Sequence, residues 1–221
     1  MTAFPPCTID HLVVTAFSLE VGVKWVEKQL GVELHPGGEH PSMGTHNYLL
    51  RLGEITYLEV IAINPAAPRP PRPRWFELDR LTPHSAPRLA SWVARTADIQ
   101  ATYSASSLNL GAILTMHRGD LEWRITVPDD GDFVLGGIVP MLIEWNTPAH
   151  PASRLPDSGC KLLRLDGTAQ DEKYAAATLG SIHAENLLTL QSAKANALPA
   201  LTAHILTPDG PKKLNQPKKS S

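Results

Sequence analysis

The chain opens on an extended apolar run, TIDHLVVTA (8–16), rich in β-branched residues and apolar on both alternating faces. In SLEVGVKWVEKQLG, which follows, Val23, Val26 and Leu30 recur at helical spacing, Ser18 is placed to cap the start and Gly31 to stop the end. Three short extended runs come next, VELHPGG, HNYLLRLG and ITYLEVIAI, separated by glycine and proline. The order is β-α-β-β-β. From Pro65, the proline-rich stretch PAAPRPPRPRWF is unfit for the interior of a strand or helix and reads as a stiff surface connection.

Beyond that stretch the plan repeats. RLASWVART (88–96) reads as a strand, DIQATYSASSLNLG (98–111) as a helix capped by Asp98, and GAILTMHRG, LEWRITVP and GGIVPMLIEWN as three more strands. After TPAHPASRLP a shorter pattern, β-α-β-β, runs through CKLLRLDG, DEKYAAATLGSI, NLLTLQ and LTAHILTPDG. The expected fold is therefore α+β. Two βαβββ modules (7–66 and 87–147) are joined by the proline-rich connection (67–86), and residues 148–210 carry a loop and an appended βαββ half-module. The polar, basic end (211–221) has no apolar periodicity and reads as disordered.

Two carboxylates break the apolar pattern. Glu59 interrupts YLEVIAI, and Glu144 sits near the end of VPMLIEW, so each module delivers one acid from its last strand. By strand alternation His11 shares a face with Ile9 and Val13, and Glu59 with Tyr57, Ile61 and Ile63. A strand covered on both faces leaves a carboxylate buried, where it must protonate, pair or bind a cation. Imidazole and carboxylate on neighbouring strands suit zinc, iron, manganese or nickel alike. Each residue also has a plain structural alternative: His11 as a core histidine bonded to backbone, Glu59 paired with Arg51, Glu144 exposed at a strand end, His46 and Asn47 closing a turn, and His150 on a surface loop.

Composition narrows the function. With 221 residues and a formal net charge of −2, the chain has no basic stripe to bind nucleic acid. No apolar run approaches the roughly 20 residues that span a bilayer. Only Cys7 and Cys160 occur and the start lacks a signal-peptide pattern, so a reduced, cytoplasmic setting is expected. Phosphate-cradling loops, a nucleophile elbow, an HExxH helix and paired CxxC motifs are all missing. The expected partner is a small molecule, with a homodimer left open.

The paired modules, with IDHLVV in the first strand and YLEVIAI in the fourth, resemble the vicinal oxygen chelate superfamily, which includes glyoxalase I and extradiol dioxygenases. More closely, GTHNYLLRLG, YLEVIAINP and GGIVPMLIEWN with HPAS resemble the glyoxalase-like domain proteins, over about residues 8–155. The resemblance implies an open, cup-like barrel holding a divalent metal through His11, Glu59 and Glu144, with Glu144 as catalytic base. It also implies a substrate with two adjacent oxygens, handled by lyase, isomerase or dioxygenase chemistry. The fourth ligand departs from the pattern, because the first strand of the second module offers Ser91 or Trp92. His46 or His150 could substitute, with Asn47 on the substrate, or the cup could bind its ligand without metal or catalysis, with Trp92 and Trp145 as stacking surfaces.

Overall fold

The computed structural model describes residues 6–215. In the first module β1 (Thr8–Thr15) is followed by helix α1 (Leu19–Leu30) and strands β2 (His35–His40), β3 (Thr45–Arg51) and β4 (Tyr57–Ile63). The Ser18 side chain accepts from Val21 N–H at the start of α1, and Gly31 ends it in the left-handed conformation. The second module repeats the order with β5 (Arg88–Arg95), α2 (Ile99–Ala105), β6 (Ala112–Arg118), β7 (Leu121–Val127) and β8 (Met141–Trp145). Helix α2 is shorter than the pattern suggests. Ser106 leaves it in an extended conformation, its hydroxyl bonded to the carbonyl of Leu108.

All eight strands form one sheet in the order β2-β3-β4-β1-β5-β8-β7-β6. The modules meet where β1 pairs antiparallel with β5, and the edge strands come back together, with Arg118 of β6 reaching His40 of β2. The sheet thus curls into a cup. Its inner face carries an apolar cluster that includes Val13, Ile61, Trp123, Ile125, Met141 and Ile143. Trp75 and Phe76, from the proline-rich connection, are buried in that same cluster. The connection expected to lie on the surface therefore contributes part of the cup wall, because its two aromatic residues bury too much apolar surface to stay in water.

The single turn α3 (Pro151–Arg154) packs through Ala152 on Leu49 and Tyr57, whereas the outer face is covered by α1, α2 and the C-terminal unit of β9 (Lys161–Ala169), α4 (Glu172–Ser181), β10 (Thr189–Ser192), β11 (Ala200–Thr207) and β12 (Gly210–Asn215). Its sheet, ordered β10-β9-β11-β12, shares one core with Leu12, Trp92 and Leu142. That second layer explains why the central strands are apolar on both sides. Residues 211–215, read from their polarity as part of a disordered tail, belong to β12, where Leu214 supplies a fully buried anchor, Lys212 is half-buried and Lys213 is exposed; the remainder of that tail, 216–221, lies outside the described residues. Among the described residues no helix is long and apolar enough to cross a membrane.

Candidate functional site

A bulge in β1 creates the site. Ile9 pairs with Ala94 and His11 with Val93, so Asp10 is left without an opposite residue and the alternation shifts by one. Ile9 consequently packs into the outer core, not beside His11 and Val13 as strict alternation predicts. Asp10 and His11 are both buried, and their side chains meet: His11 Nδ1 donates to Asp10 Oδ1 over 2.7 Å.

Asp10 collects two further donors. Trp145 Nε1 donates to Oδ2 at 2.9 Å, and His150 Nε2 lies 3.0 Å from the same oxygen. His150 caps α3, its Nδ1 accepting from Ala152 N–H, so the proton on its ring sits on Nε2 and points at Asp10. Burial opposes the charge on Asp10, but the hydrogen bonds from His11 and His150 outweigh it and hold the carboxyl well below the usual carboxylate range.

With Nδ1 engaged on Asp10, His11 turns Nε2 toward Glu59, whose Oε2 is 3.6 Å away, and its ring stacks on Tyr57 at 4.6 Å between centroids. Glu59 Oε1 accepts from Asn47 Nδ2, and Asn47 Oδ1 faces Arg118 Nη1 at 3.5 Å. His40 completes this side of the cup. Burial first, and the Arg118 charge second, push its imidazole down to about 3, so it is neutral at physiological pH and accepts from Arg118. These groups line a cup together with Trp75, Phe76, Trp123, Ile125, Ile143 and Trp145.

Of the residues singled out from sequence, the structure brings His11, Glu59 and Asn47 together in the cup and sets His150 behind His11, on Asp10. Glu144 is elsewhere. Its neighbours Ile143 and Trp145 face the cup, whereas Glu144 takes both its oxygens to Arg124 (2.7 and 2.8 Å) and caps α2 through Ile99 N–H. A carboxylate committed to a bidentate arginine and a helix N-terminus has no reach to a metal or substrate in the cup. Replacing Glu144 with alanine is expected to lower stability by about 1–2 kcal/mol through the lost cap and to leave ligand binding unchanged, which thermal denaturation and titration would check. His46 also stays outside, on the face of β3 opposite Asn47 and beside Glu39. Trp92 is in the outer core, its indole bonded to the carbonyl of Ile138, so it is no stacking surface for a ligand.

The symmetry of the modules shows why the second half supplies no ligand. β5 carries a matching bulge at Ala90, which makes Ser91 the counterpart of His11. Val13 pairs with Glu59 and its counterpart Val93 with Met141, so a methionine stands where Glu59 would recur. Glu144 is three residues too late. The groups with lone pairs toward the cup are thus His11 Nε2, the Glu59 carboxylate and His40 Nε2, the last already taken by Arg118, and no group of three or more His, Cys, Asp or Glu residues able to hold a metal ion exists among the described residues. A metal centre built from at least three protein ligands does not fit this donor set.

Asp10, His40, Trp75 and Arg118 escaped the sequence reading. Asp10 adjoins His11 but falls on the wrong face under strict alternation, and nothing local in IDHLVV signals the bulge. Arg118 lies at a strand end that only the curling of the sheet brings to β2.

The glyoxalase-like domain model matches residues 9–182. Among solved structures, a hypothetical protein from Staphylococcus aureus aligns over 98% of this chain and 88% of its own, at 13% identity and a TM-score of 0.58, which is a likeness of fold. Methylmalonyl-CoA epimerase from Mycobacterium tuberculosis aligns over 70% of this chain and 97% of its own, at 16% identity and a TM-score of 0.43. Its counterpart from Streptomyces coelicolor, in complex with 2-nitronate-propionyl-CoA, aligns over 66% and 100%, at 16% identity and the same score of 0.43. Among curated proteins no relative matches the chain.

Proposed function

Because this chain belongs to the glyoxalase-like domain family, we propose that its cup works on a small, partly hydrophobic substrate with adjacent oxygens, and does so by proton transfer without a resident metal. The observation that carries this reading is His11 Nε2 facing Glu59 Oε2 across 3.6 Å inside the cup. An imidazole nitrogen and a carboxylate oxygen at that separation are placed to take and hold one proton between them, and the acidic C–H or O–H of a substrate supplies it. Asp10 holds the His11 ring in the tautomer whose free nitrogen points at the substrate, and its charge stabilises the imidazolium formed when the proton arrives. Asn47 fixes Glu59 so that its second oxygen stays directed at the same point. The proton then returns to the substrate at the same or a neighbouring atom, which is the net chemistry of an epimerase or isomerase. The aromatic walls exclude water and favour an apolar substrate body.

Elemental analysis of gently purified protein tests the metal-free reading. Zinc, iron, manganese and nickel are expected well below one per chain, and chelation is expected to leave ligand binding unchanged. Near-stoichiometric metal, lost in both His11→Ala and Glu59→Ala, would overturn it. A sequestering protein is the second reading, favoured by the five aromatic rings Tyr57, Trp75, Phe76, Trp123 and Trp145 around the cup; it differs in that the ligand leaves without having exchanged a proton.

A further inference from the structure

Arg118 is placed with more care than a surface arginine requires. It leaves the end of β6 in the second module and crosses to the edge of the first, where its side chain runs over Gly38. A Cβ at that position would stand 2.8 Å from Arg118 Cδ, and Gly38 has a φ of +144°, so the absence of a side chain there opens the crossing. The guanidinium then lies 5.9 Å from the centre of the Trp123 ring, with Nη1 on His40 Nε2 at 3.4 Å and on Asn47 Oδ1 at 3.5 Å.

None of these contacts answers its charge. Among the described residues no carboxylate comes within 4.0 Å of Arg118, whereas Arg74 lies on Asp79 and Arg124 on Glu144. The Nε and Nη2 groups of Arg118 make no hydrogen bond to the described protein, and Arg118 lines the cup. A second donor shares this wall. Trp75 is 3% exposed, lines the same cup, and its Nε1 has no hydrogen-bond partner. A buried indole N–H without an acceptor is costly and is normally satisfied. The free N–H groups of Arg118 Nε and Nη2 and of Trp75, one set of them cationic, in a cup whose carboxylate Glu59 is already bound by Asn47, are the complement of an oxyanion.

We infer that the substrate of this cup is a small organic carboxylate with an aromatic or branched apolar body, its carboxylate received by Arg118 and the Trp75 indole N–H and its acidic proton presented to His11 and Glu59. This rests on the proton-transfer reading for the second half of the statement only, since the anion seat is a matter of binding. Asn47 stands between the two ends, its Oδ1 on Arg118 and its Nδ2 on Glu59. A carboxylate on Arg118 is therefore separated from the Glu59 charge by a neutral amide. The same bridge limits the substrate to one whose acidic position is close to its carboxylate, as in 2-hydroxy and 2-oxo acids.

Mandelate and phenylpyruvate are suitable probes, with mandelamide and the methyl ester of phenylpyruvate as uncharged twins, and calorimetric titration reads their binding. Wild-type protein is expected to bind at least one of the acids about tenfold or more tightly than its neutral twin, a difference of about 1.4 kcal/mol. Arg118→Gln is expected to erase that preference, and Arg118→Lys to retain part of it, because lysine keeps the charge but loses the planar fork. The lysine variant also serves if the glutamine variant fails to fold. His11→Asn is expected to keep the preference for the acid while losing proton exchange, so a failure of the catalytic reading and a failure of the anion seat give different results. Equal binding of acid and neutral twin, a preference that survives in Arg118→Gln, or no binding of either acid by wild-type protein at millimolar concentration would overturn the inference.

Discussion

Replacing His11 with asparagine is expected to slow proton transfer by about 10²–10⁴-fold, the range typical of a general base, while changing substrate binding little. The asparagine amide can still donate to Asp10 Oδ1, which now receives the His11 Nδ1 proton over 2.7 Å. What disappears is Nε2, the atom facing Glu59 across the cup. The loss should therefore fall on kcat, with KM near the wild-type value. Glu59→Gln gives a useful companion, since the amide keeps a side chain for Asn47 to contact but places an uncharged group opposite His11. If His11 were only a packed core residue, the asparagine variant would lose stability and retain turnover, and the two measurements together separate these cases.

The largest stability effect is expected at Asp10. Its carboxylate, fully buried, meets His11 and His150 and accepts from Trp145, which draws together β1, β8 and the turn after β8. In Asp10→Asn the amide nitrogen is turned toward one or more of these N–H groups and the charge that served them is gone. Breaking a buried charged network from one side costs about 3–5 kcal/mol, which lowers Tm by roughly 10 °C in a chain of this size. The acid limb carries the same signature. The folded carboxyl is held below its unfolded value of about 3.9, so its contribution is present in full above that value and is lost as pH falls through and below about 4. Stability of the wild type should decline through this window, and the asparagine variant should lack that part of the decline. An unchanged Tm and an unchanged acid limb would show that Asp10 is not ionised in the folded protein.

The fold was legible because most of its punctuation is local. Ser18 and Gly31 bracket α1, Asp98 caps α2, and apolar runs parted by glycine and proline give eight strands in two equivalent sets. The site was legible only in part. His11 and Glu59 follow from alternation along β1 and β4, while Asn47 stands in the sequence only as a turn residue or a candidate substrate contact, and the bulge that adds Asp10 is set by pairing with Val93 and Ala94 of β5, more than eighty residues away. Glu144 misled for a related reason: its resemblance in position to Glu59 is sequence-deep, while pairing register makes Met141 the true counterpart. Trp75 was hidden by the prolines around it, and Arg118 by the fact that the curling of a sheet is a property of all its strands together. β12 was missed because a strand anchored by one leucine, Leu214, among lysines carries almost no apolar signal.

The central claim, proton transfer by a metal-free cup, is tested most directly by following solvent deuterium. Chelator-treated protein in D₂O, incubated with a panel of small 2-hydroxy and 2-oxo acids and read by proton NMR, is expected to exchange one carbon-bound hydrogen next to the carboxylate or carbonyl of at least one compound, and the His11→Asn protein to leave that signal intact. Exchange that appears only when a divalent metal is restored would contradict the account. So would compounds that bind in the cup and come away with every hydrogen unexchanged, which would make the protein a sequestering one.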